Sequence, residues 1–301
     1  MPVFDEGKRL LDFLDLNPPV RFKTPGRILM TDPTHYDIRY AINPHMRSAT
    51  GELQKIDRAL AHQQWNELLA VYREWGTEVE IVAGDPNLPD MVFAANHGFT
   101  WQRAQDKKPQ ILMSRMRSKL REPEIPLFES WYRKSGYDVH HLISEGSFEG
   151  NGDALSVHSL GIGIGGIGPR TDEWIYDEIS ERFALPILRI SLVDDRFYHL
   201  DTCLSILNEN TVALCPKAFD KTGQDALYAL FDNVIEVSDA NAIRYFSCNS
   251  HCPDAKHVIT QPGDTVFHRS LETLNFKVVE INTSEFIKAG GSVYCLKMAV
   301  Y

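Results

Sequence analysis

No stretch of this chain runs to about 18 consecutive apolar residues, so nothing in it reads as a membrane span. Basic residues are in deficit, 31 Lys and Arg against 41 Asp and Glu. The formal net charge of −10 argues against nucleic acid or an anionic membrane as partner, because either would repel it. The segment Met1 to Leu16 lacks the uninterrupted apolar core of a signal peptide and carries Asp5, Glu6, Asp12 and Asp15 instead. Cysteine is sparse. The five, at 203, 215, 248, 252 and 295, with no export signal before them, read as reduced thiols of a cytoplasmic protein rather than a disulfide framework. There is no Pro/Ser-rich linker and no shift in composition, so residues 1–301 read as one domain. Hydrophobic residues at 43% and charged residues at 24% are ordinary for a globular protein with a sizeable core.

What the chain does contain is a regular alternation. Runs rich in β-branched and aromatic residues predict strands at Arg27–Met30, Glu78–Val82, Met91–Trp101, Gln110–Met116, Tyr137–Ile143 and Asp153–Ile164. Further strands are predicted at Pro186–Val193, Cys203–Leu207, Thr211–Cys215, Val234–Val237, His257–Thr260, Phe276–Ile281 and Cys295–Val300. Between them, Glu52–Trp75 places Leu53, Ile56, Leu60, Trp65, Leu68, Leu69 and Tyr72 on one helical face. Shorter helices are predicted at Ile125–Lys134, Asp172–Phe183, Gln224–Phe231, Ala240–Phe246, Thr265–Leu274 and Ser284–Ala289. Gly76, Gly136 and Gly290 stand where helices should stop. Strand pairs alternate with single helices about five times, which suggests a repeat architecture, with a doubly wound sheet as the rival.

Several stretches carry candidate chemistry. Gly161 to Gly168 contains G-x-G-x-x-G at 163, 165 and 168, the outline of a dinucleotide fingerprint. Pro169-Arg170 follows at once, however, and Leu188-Arg189-Ile190 stands where an acid should meet the ribose. Tight packing of a glycine-rich strand is the better reading. The stretch also lacks the G-K-[ST] of a P-loop. Cys248-Asn249-Ser250-His251-Cys252 has no second ligand pair, so two packed thiols are expected there rather than a metal site. His199 and Asp201 have the period-two spacing that puts both on one face of a strand. Glu149 and Asp153 flank a glycine-softened turn. Cys295 stands where the loop after Gly290-Gly291 becomes a strand. A thiol, an imidazole and several acids along one chain are the ingredients of cysteine nucleophilic catalysis.

Together these pieces resemble the guanidino-group modifying enzymes: arginine deiminase, dimethylarginine dimethylaminohydrolase, arginine dihydrolase and the amidinotransferases. The carrying stretches are Asp37 to Pro44, Pro89 to Asn96, Ser114-Arg115 through Arg121, Phe148-Glu149-Gly150, Gly168 to Thr171, His199-Leu200-Asp201 and the terminal Gly-Gly-Ser-Val-Tyr-Cys. Seven in the family's order span most of the chain. The resemblance implies the α/β fold called pentein, a five-bladed propeller of ββαβ modules around a central active site. It implies Cys295 as nucleophile and His199 as acid and base. Glu149, counted with these two, and Asp201 would bind the guanidinium nitrogens. Arg115 and Arg170 would hold an amino acid's α-carboxylate, with Asp90 as an accessory contact. No cofactor and no metal are implied. The expected partner is a small guanidino molecule, and self-association into a homo-oligomer is left open.

The chemistry explains the residue types. A guanidinium is a poor electrophile, so the site must force its carbon tetrahedral with a thiolate and protonate a departing amine. Three departures from the family pattern stand out. Asn96 occupies the place where deiminases and dimethylarginine hydrolases have Asp and dihydrolases have Asn. His199-Leu200-Asp201 keeps a second acid that dimethylarginine hydrolases tend to lack. Glu149 to Asp153 is one residue longer than the deiminases' Glu-Gly-Gly-Asp. The expectation is hydrolysis of arginine or a close derivative to citrulline or ornithine. An amidinotransferase or a non-catalytic pentein-fold binding protein is the alternative.

Overall fold

Alternation in the sequence becomes a module used five times. In the computed structural model, which describes residues 2–18 and 20–301, β1 (Val3–Phe4) and α1 (Gly7–Leu16) come first. Met1 of the Met1–Leu16 segment lies outside the described residues. The chain continues through β2 (Arg27–Thr31), α2 (Arg58–Glu74) and β3 (Glu78–Val82), then β4 (Gly98–Trp101), β5 (Gln110–Met113), α3 (Ile125–Lys134) and β6 (Asp138–His140). Next are β7 (Ala154–Val157), β8 (Ile162–Ile167), α4 (Ile175–Phe183) and β9 (Ile187–Ser191), then β10 (Leu204–Ile206), β11 (Thr211–Leu214), α5 (Lys221–Leu230) and β12 (Asn233–Glu236). Last come α6 (Asp239–Tyr245), β13 (His257–Thr260), α7 (Thr265–Thr273), β14 (Lys277–Glu280), α8 (Ser284–Ile287) and β15 (Met298–Val300).

These strands form five small separate sheets. In four of them, a central strand pairs antiparallel with one neighbour and, after a helical crossover, parallel with the next: β4-β5-β6, β7-β8-β9, β10-β11-β12 and β15-β2-β3. The fifth has β13 parallel to β14, with a single antiparallel bridge, His251 to Ile259, in place of the first strand. A helix returning a strand parallel to its neighbour is what parallel pairing requires. The central strands are buried almost throughout, so Ile28-Leu29-Met30, Ile111-Leu112-Met113 and Val212-Ala213-Leu214 read as continuous apolar runs. The outer strands β3, β6 and β14 have no fully buried residue and begin on an exposed charged one, Glu78, Asp138 and Lys277.

Helix ends follow local chemistry. Asp57, Asp220, Ser238 and Asp264 each accept a hydrogen bond from a backbone N–H of the first turn of α2, α5, α6 and α7. Gly76 and Gly136 follow α2 and α3 with φ of +73° and +84°, a region glycine enters freely. Glu52–Ile56, predicted as helix, stays outside α2, because Asp57 caps the helix only from Arg58 onward.

Two predicted strands are corrected. Asp153–Ile164 is two strands joined by a turn, β7 and β8 pairing antiparallel with Ala154 opposite Gly165. Met91–Trp101 is strand only from Gly98; Pro89–Val92 and Ala94–His97 are 3-10 turns buried on every side. The glycines of β8 serve packing. A Cβ on Gly165 would lie 2.5 Å from the Tyr176 ring, and one on Gly166 2.9 Å from Leu200.

Candidate active site

Every sheet offers the site one buried segment, just before its first strand or bridge. The five are Pro89–His97, Glu149–Asp153, His199–Thr202, Phe246–Ser250 and Gly290–Lys297. His199 and Asp201 therefore lie at a 3-10 turn, not on a strand, and their side chains take different partners.

Cys295 is held by Asn249. The Asn249 Oδ1 accepts from the backbone N–H of Ser292 at 3.0 Å and of Cys295 at 3.2 Å, and its Nδ2 donates to the Cys295 Sγ at 3.1 Å. The thiol itself donates to Asp201 Oδ2 at 3.1 Å. Gly291 is needed because a Cβ there would lie 2.3 Å from the Phe93 ring. Burial, then the Asp201 charge, push the thiol well above its ordinary pKa, and the Asn249 amide works the other way. Burial likewise pushes Asp201 up to about 7, against the Cys295 hydrogen bond and the nearby Lys297 charge. In the free protein the thiol therefore keeps its proton and donates it to Asp201.

His199 Nε2 lies 2.8 Å from Glu149 Oε2. That oxygen also accepts from Arg170 at 2.8 Å, while Glu149 Oε1 accepts from the backbone N–H of Arg117 at 3.0 Å. Burial would raise Glu149, but Arg170 and the His199 hydrogen bond outweigh it and hold the carboxyl at about 2. An ionised Glu149 fixes the proton of His199 on Nε2 and leaves Nδ1 to face the site. Asp153 completes this side, 3.9 Å from His199 Nε2, accepting from the Thr171 hydroxyl and the Leu200 N–H; burial raises it to about 6. Arg170 spends its other branch on the Ile42 carbonyl at 2.7 Å, with its guanidinium 5.1 Å over the Tyr198 ring.

Asn96 Nδ2 lies 3.4 Å from His199 Nδ1 because Arg121 donates to Asn96 Oδ1 at 2.9 Å. Arg121 is in turn paired with buried Glu124, which binds His97 at 2.7 Å, and His97 stacks 3.5 Å from Phe128. Asp90 is buried, and the one group that reaches toward its carboxylate with a hydrogen bond is the Tyr40 hydroxyl. Burial moves Asp90 up to about 6, with Arg121 opposing.

Of the residues singled out from sequence, the structure brings Cys295, His199, Glu149, Asp201, Asn96, Arg170 and Asp90 into this region. It does not bring Arg115. That guanidinium donates to the carbonyls of Leu142, Ser144 and Gly146 and fastens their loop. Arg121, six residues on in the same quoted stretch, is the arginine at the site. Asn249 and Lys297 were also missed. Asn249 had a signal, its place before the fifth sheet's bridge, matching Asn96 before β4. Among the described residues no three His, Cys, Asp or Glu side chains converge as metal ligands would.

A family model described as "N,N dimethylarginine dimethylhydrolase, eukaryotic" matches residues 32–301. A dimethylarginine dimethylaminohydrolase of Mycobacterium tuberculosis is 34% identical over 95% of this chain and 90% of its own length. The bifunctional arginine dihydrolase/ornithine cyclodeaminase AgrE of Nostoc is 32% identical over 91% of this chain, which spans 38% of that protein. The substrate-bound N-terminal domain of ArgZ, an arginine dihydrolase from cyanobacteria, superposes with a TM-score of 0.83 at 32% identity, over 91% of this chain and 97% of that one.

Proposed function

The chain belongs to the dimethylarginine dimethylaminohydrolase family, and on that premise we propose that it is a cysteine-dependent hydrolase of the guanidinium group of arginine or a close derivative. We take the five sheets as the five blades of a pentein propeller and residues 1–301 as one catalytic unit around its centre. The observation that carries the reading is a pair of buried carboxylates with acceptor capacity left over, Asp90, whose one polar side-chain partner is the Tyr40 hydroxyl, and Asp201 through Oδ1. Unpaired buried acceptors cost free energy until a donor arrives. A planar cation with several N–H groups matches such a spread of oxygens better than the point charge of an alkylammonium.

The substrate's charge, seated against Asp90 and Asp201, favours their ionised forms and that of the thiol. The thiol proton passes to His199, and the thiolate attacks the guanidinium carbon. A C–S bond forms as the C=N pair moves onto nitrogen. His199 returns the proton to the departing nitrogen, the C–N bond breaks, and ammonia or an alkylamine leaves a thiouronium on Cys295. Water then gives a proton to His199 and its oxygen to that carbon. The C–S bond breaks, and the thiolate takes the proton back. Mass spectrometry of products from arginine, methylarginines and agmatine tests this. Absence of turnover with all of them would overturn it, and transfer to added glycine or lysine would make the protein an amidinotransferase.

Asn96 favours a second, narrower reading. With Oδ1 taken by Arg121, its amide offers N–H groups toward His199 Nδ1. A carboxylate there could only accept, whereas an amide can donate to the oxygen of a ureido group. Citrulline held this way would be hydrolysed again, so that arginine and two waters give ornithine, carbon dioxide and two ammonia. The likeness to AgrE and ArgZ supports this outcome. Asn96→Asp is expected to shift the product toward citrulline. Citrulline as the sole product of the unsubstituted protein would remove the dihydrolase reading and leave the hydrolase.

A further inference from the structure

Lys297 lies two residues past the nucleophile and is only 3% exposed. Its ammonium has no hydrogen bond or ion pair with any described residue; its close neighbour is the Tyr294 ring, 3.4 Å from Nζ to the centroid. It lies in the wall of a cavity of about 730 Å³. Four sheets line this cavity, through Arg27, Thr100, Ser156 and Ile206, and so does the bridge segment of the fifth, through His251. Such a lining places it along the centre of the molecule. Asn151, from the Glu149 turn, and Lys297 itself join it to the catalytic segments, while Cys295, His199 and Asp201 are not among its walls. The cavity is therefore a second space behind the reacting thiol.

Its chemistry is selective. Besides the ammonium, the wall carries Ser156 and Ser159, whose hydroxyls are themselves buried. The acids on the lining, Glu209 and Asp254, are both exposed. Arg27 is already paired with Glu80. Leaving one buried cation unpaired is costly, and the natural remedy is an anion with an oxygen for Nζ. A phosphate would want a nest of backbone N–H groups or a second cation. The space is of small-molecule size, and Leu155, Val157 and Ala299 give it apolar walls.

We propose that this cavity binds a small organic monocarboxylate, anchored on Lys297, as an effector site separate from the substrate site. Burial draws Lys297 down to about 7, and its charge in turn favours the ionised form of Asp201. A carboxylate on Lys297 neutralises that charge without competing for the substrate's place.

Ligand-observed NMR at pH 6.5 with sodium butyrate as probe and butyramide as its neutral isostere tests the site. Cys295→Ser prevents turnover, and the titration is repeated with saturating arginine. Saturable binding of butyrate at millimolar concentration, at least tenfold weaker binding of butyramide, persistence with arginine, and a tenfold or greater loss in Lys297→Met are expected. Equal binding of the two probes, full displacement by arginine, or undiminished binding by Lys297→Met overturns the proposal. The comparison of probes needs no substitution at Lys297, so a misfolded variant does not blunt it. No readout requires catalysis, so a failed hydrolase reading leaves this test standing.

Discussion

Asp90 keeps its carboxylate fully buried, and burial outweighs Arg121 and the Tyr40 hydroxyl to hold its pKa at about 6. An unfolded Asp titrates near about 3.9. The folded state therefore binds the proton more tightly, and the stability this adds is present below about 4 and lost as pH rises through about 6. Asp90→Asn removes the ionising group. It should raise unfolding free energy by about 1–3 kcal/mol at pH 8 and change little at pH 4, while weakening guanidinium binding. Denaturant titrations at the two pH values check this, and equal stability at pH 8 would refute it. Arg115 and Arg121 make a second contrast. Arg115→Ala strips charged hydrogen bonds from the 142–146 loop and should cost about 1.5–3 kcal/mol with KM for arginine unchanged. Arg121→Ala leaves Glu124 buried beside His97 with its cation gone and should cost about 3–5 kcal/mol, besides freeing Asn96 to turn. A rise in KM from Arg115→Ala alone would return it to the substrate.

At the scale of elements, the functional side chains sit in tight turns ahead of the strands, and one glycine shows how little room they have. A Cβ on Gly152 would lie 2.4 Å from Asn96 Nδ2 and 3.3 Å from His199 Nδ1. Gly152→Ala should therefore displace both and cut kcat/KM by about 100-fold, with the melting temperature nearly unchanged. Normal kinetics in that variant would show the turn to be pliant. The same turns mark where sequence reading stopped. Central strands such as Gln110–Met113 and His257–Thr260 were legible because burial on both faces leaves an apolar run of strand length. Helix Ile125–Lys134 was legible from its apolar face and Gly136. Pro89–His97 was not, because a 3-10 turn buried all round carries neither period two nor period 3.6, and its apolar residues imitate a strand. Ser114 to Arg121 was found as a stretch, yet spacing alone could not choose between its arginines. Helix α1 escaped notice; its contact with α5, where a Cβ on Gly7 would lie 2.5 Å from the Ala226 oxygen, leaves no local trace.

For the molecule as a whole, the five convergent segments bury their ionisable groups together, and this sets a pH dependence no single element has. In the proposed cradle, Asp90 at about 6 and Asp201 at about 7 both receive the guanidinium in their ionised forms. In the free enzyme kcat/KM should climb as pH rises from 5 to 8, with apparent pKa values that belong to the coupled set. A profile that falls over that range would contradict the carboxylate cradle. Glu149, held at about 2 by Arg170 and His199, stays ionised throughout and adds no step.

The pairing of β15 with β2 brings Met298–Val300 beside Arg27–Thr31, almost the full length of the chain apart. The sheet of β2 and β3 is thus completed by a strand made long after them, and the proposed nucleophile rides on the segment that leads into it. During synthesis on a ribosome, four of the five modules can emerge and begin to fold while that sheet still lacks its third strand. Until then Asp201 has no thiol beside it and Asn249 no turn to hold. A chain terminated before Gly290 carries the acids and the imidazole but not the proposed nucleophile, so on this reading it has no guanidinium chemistry.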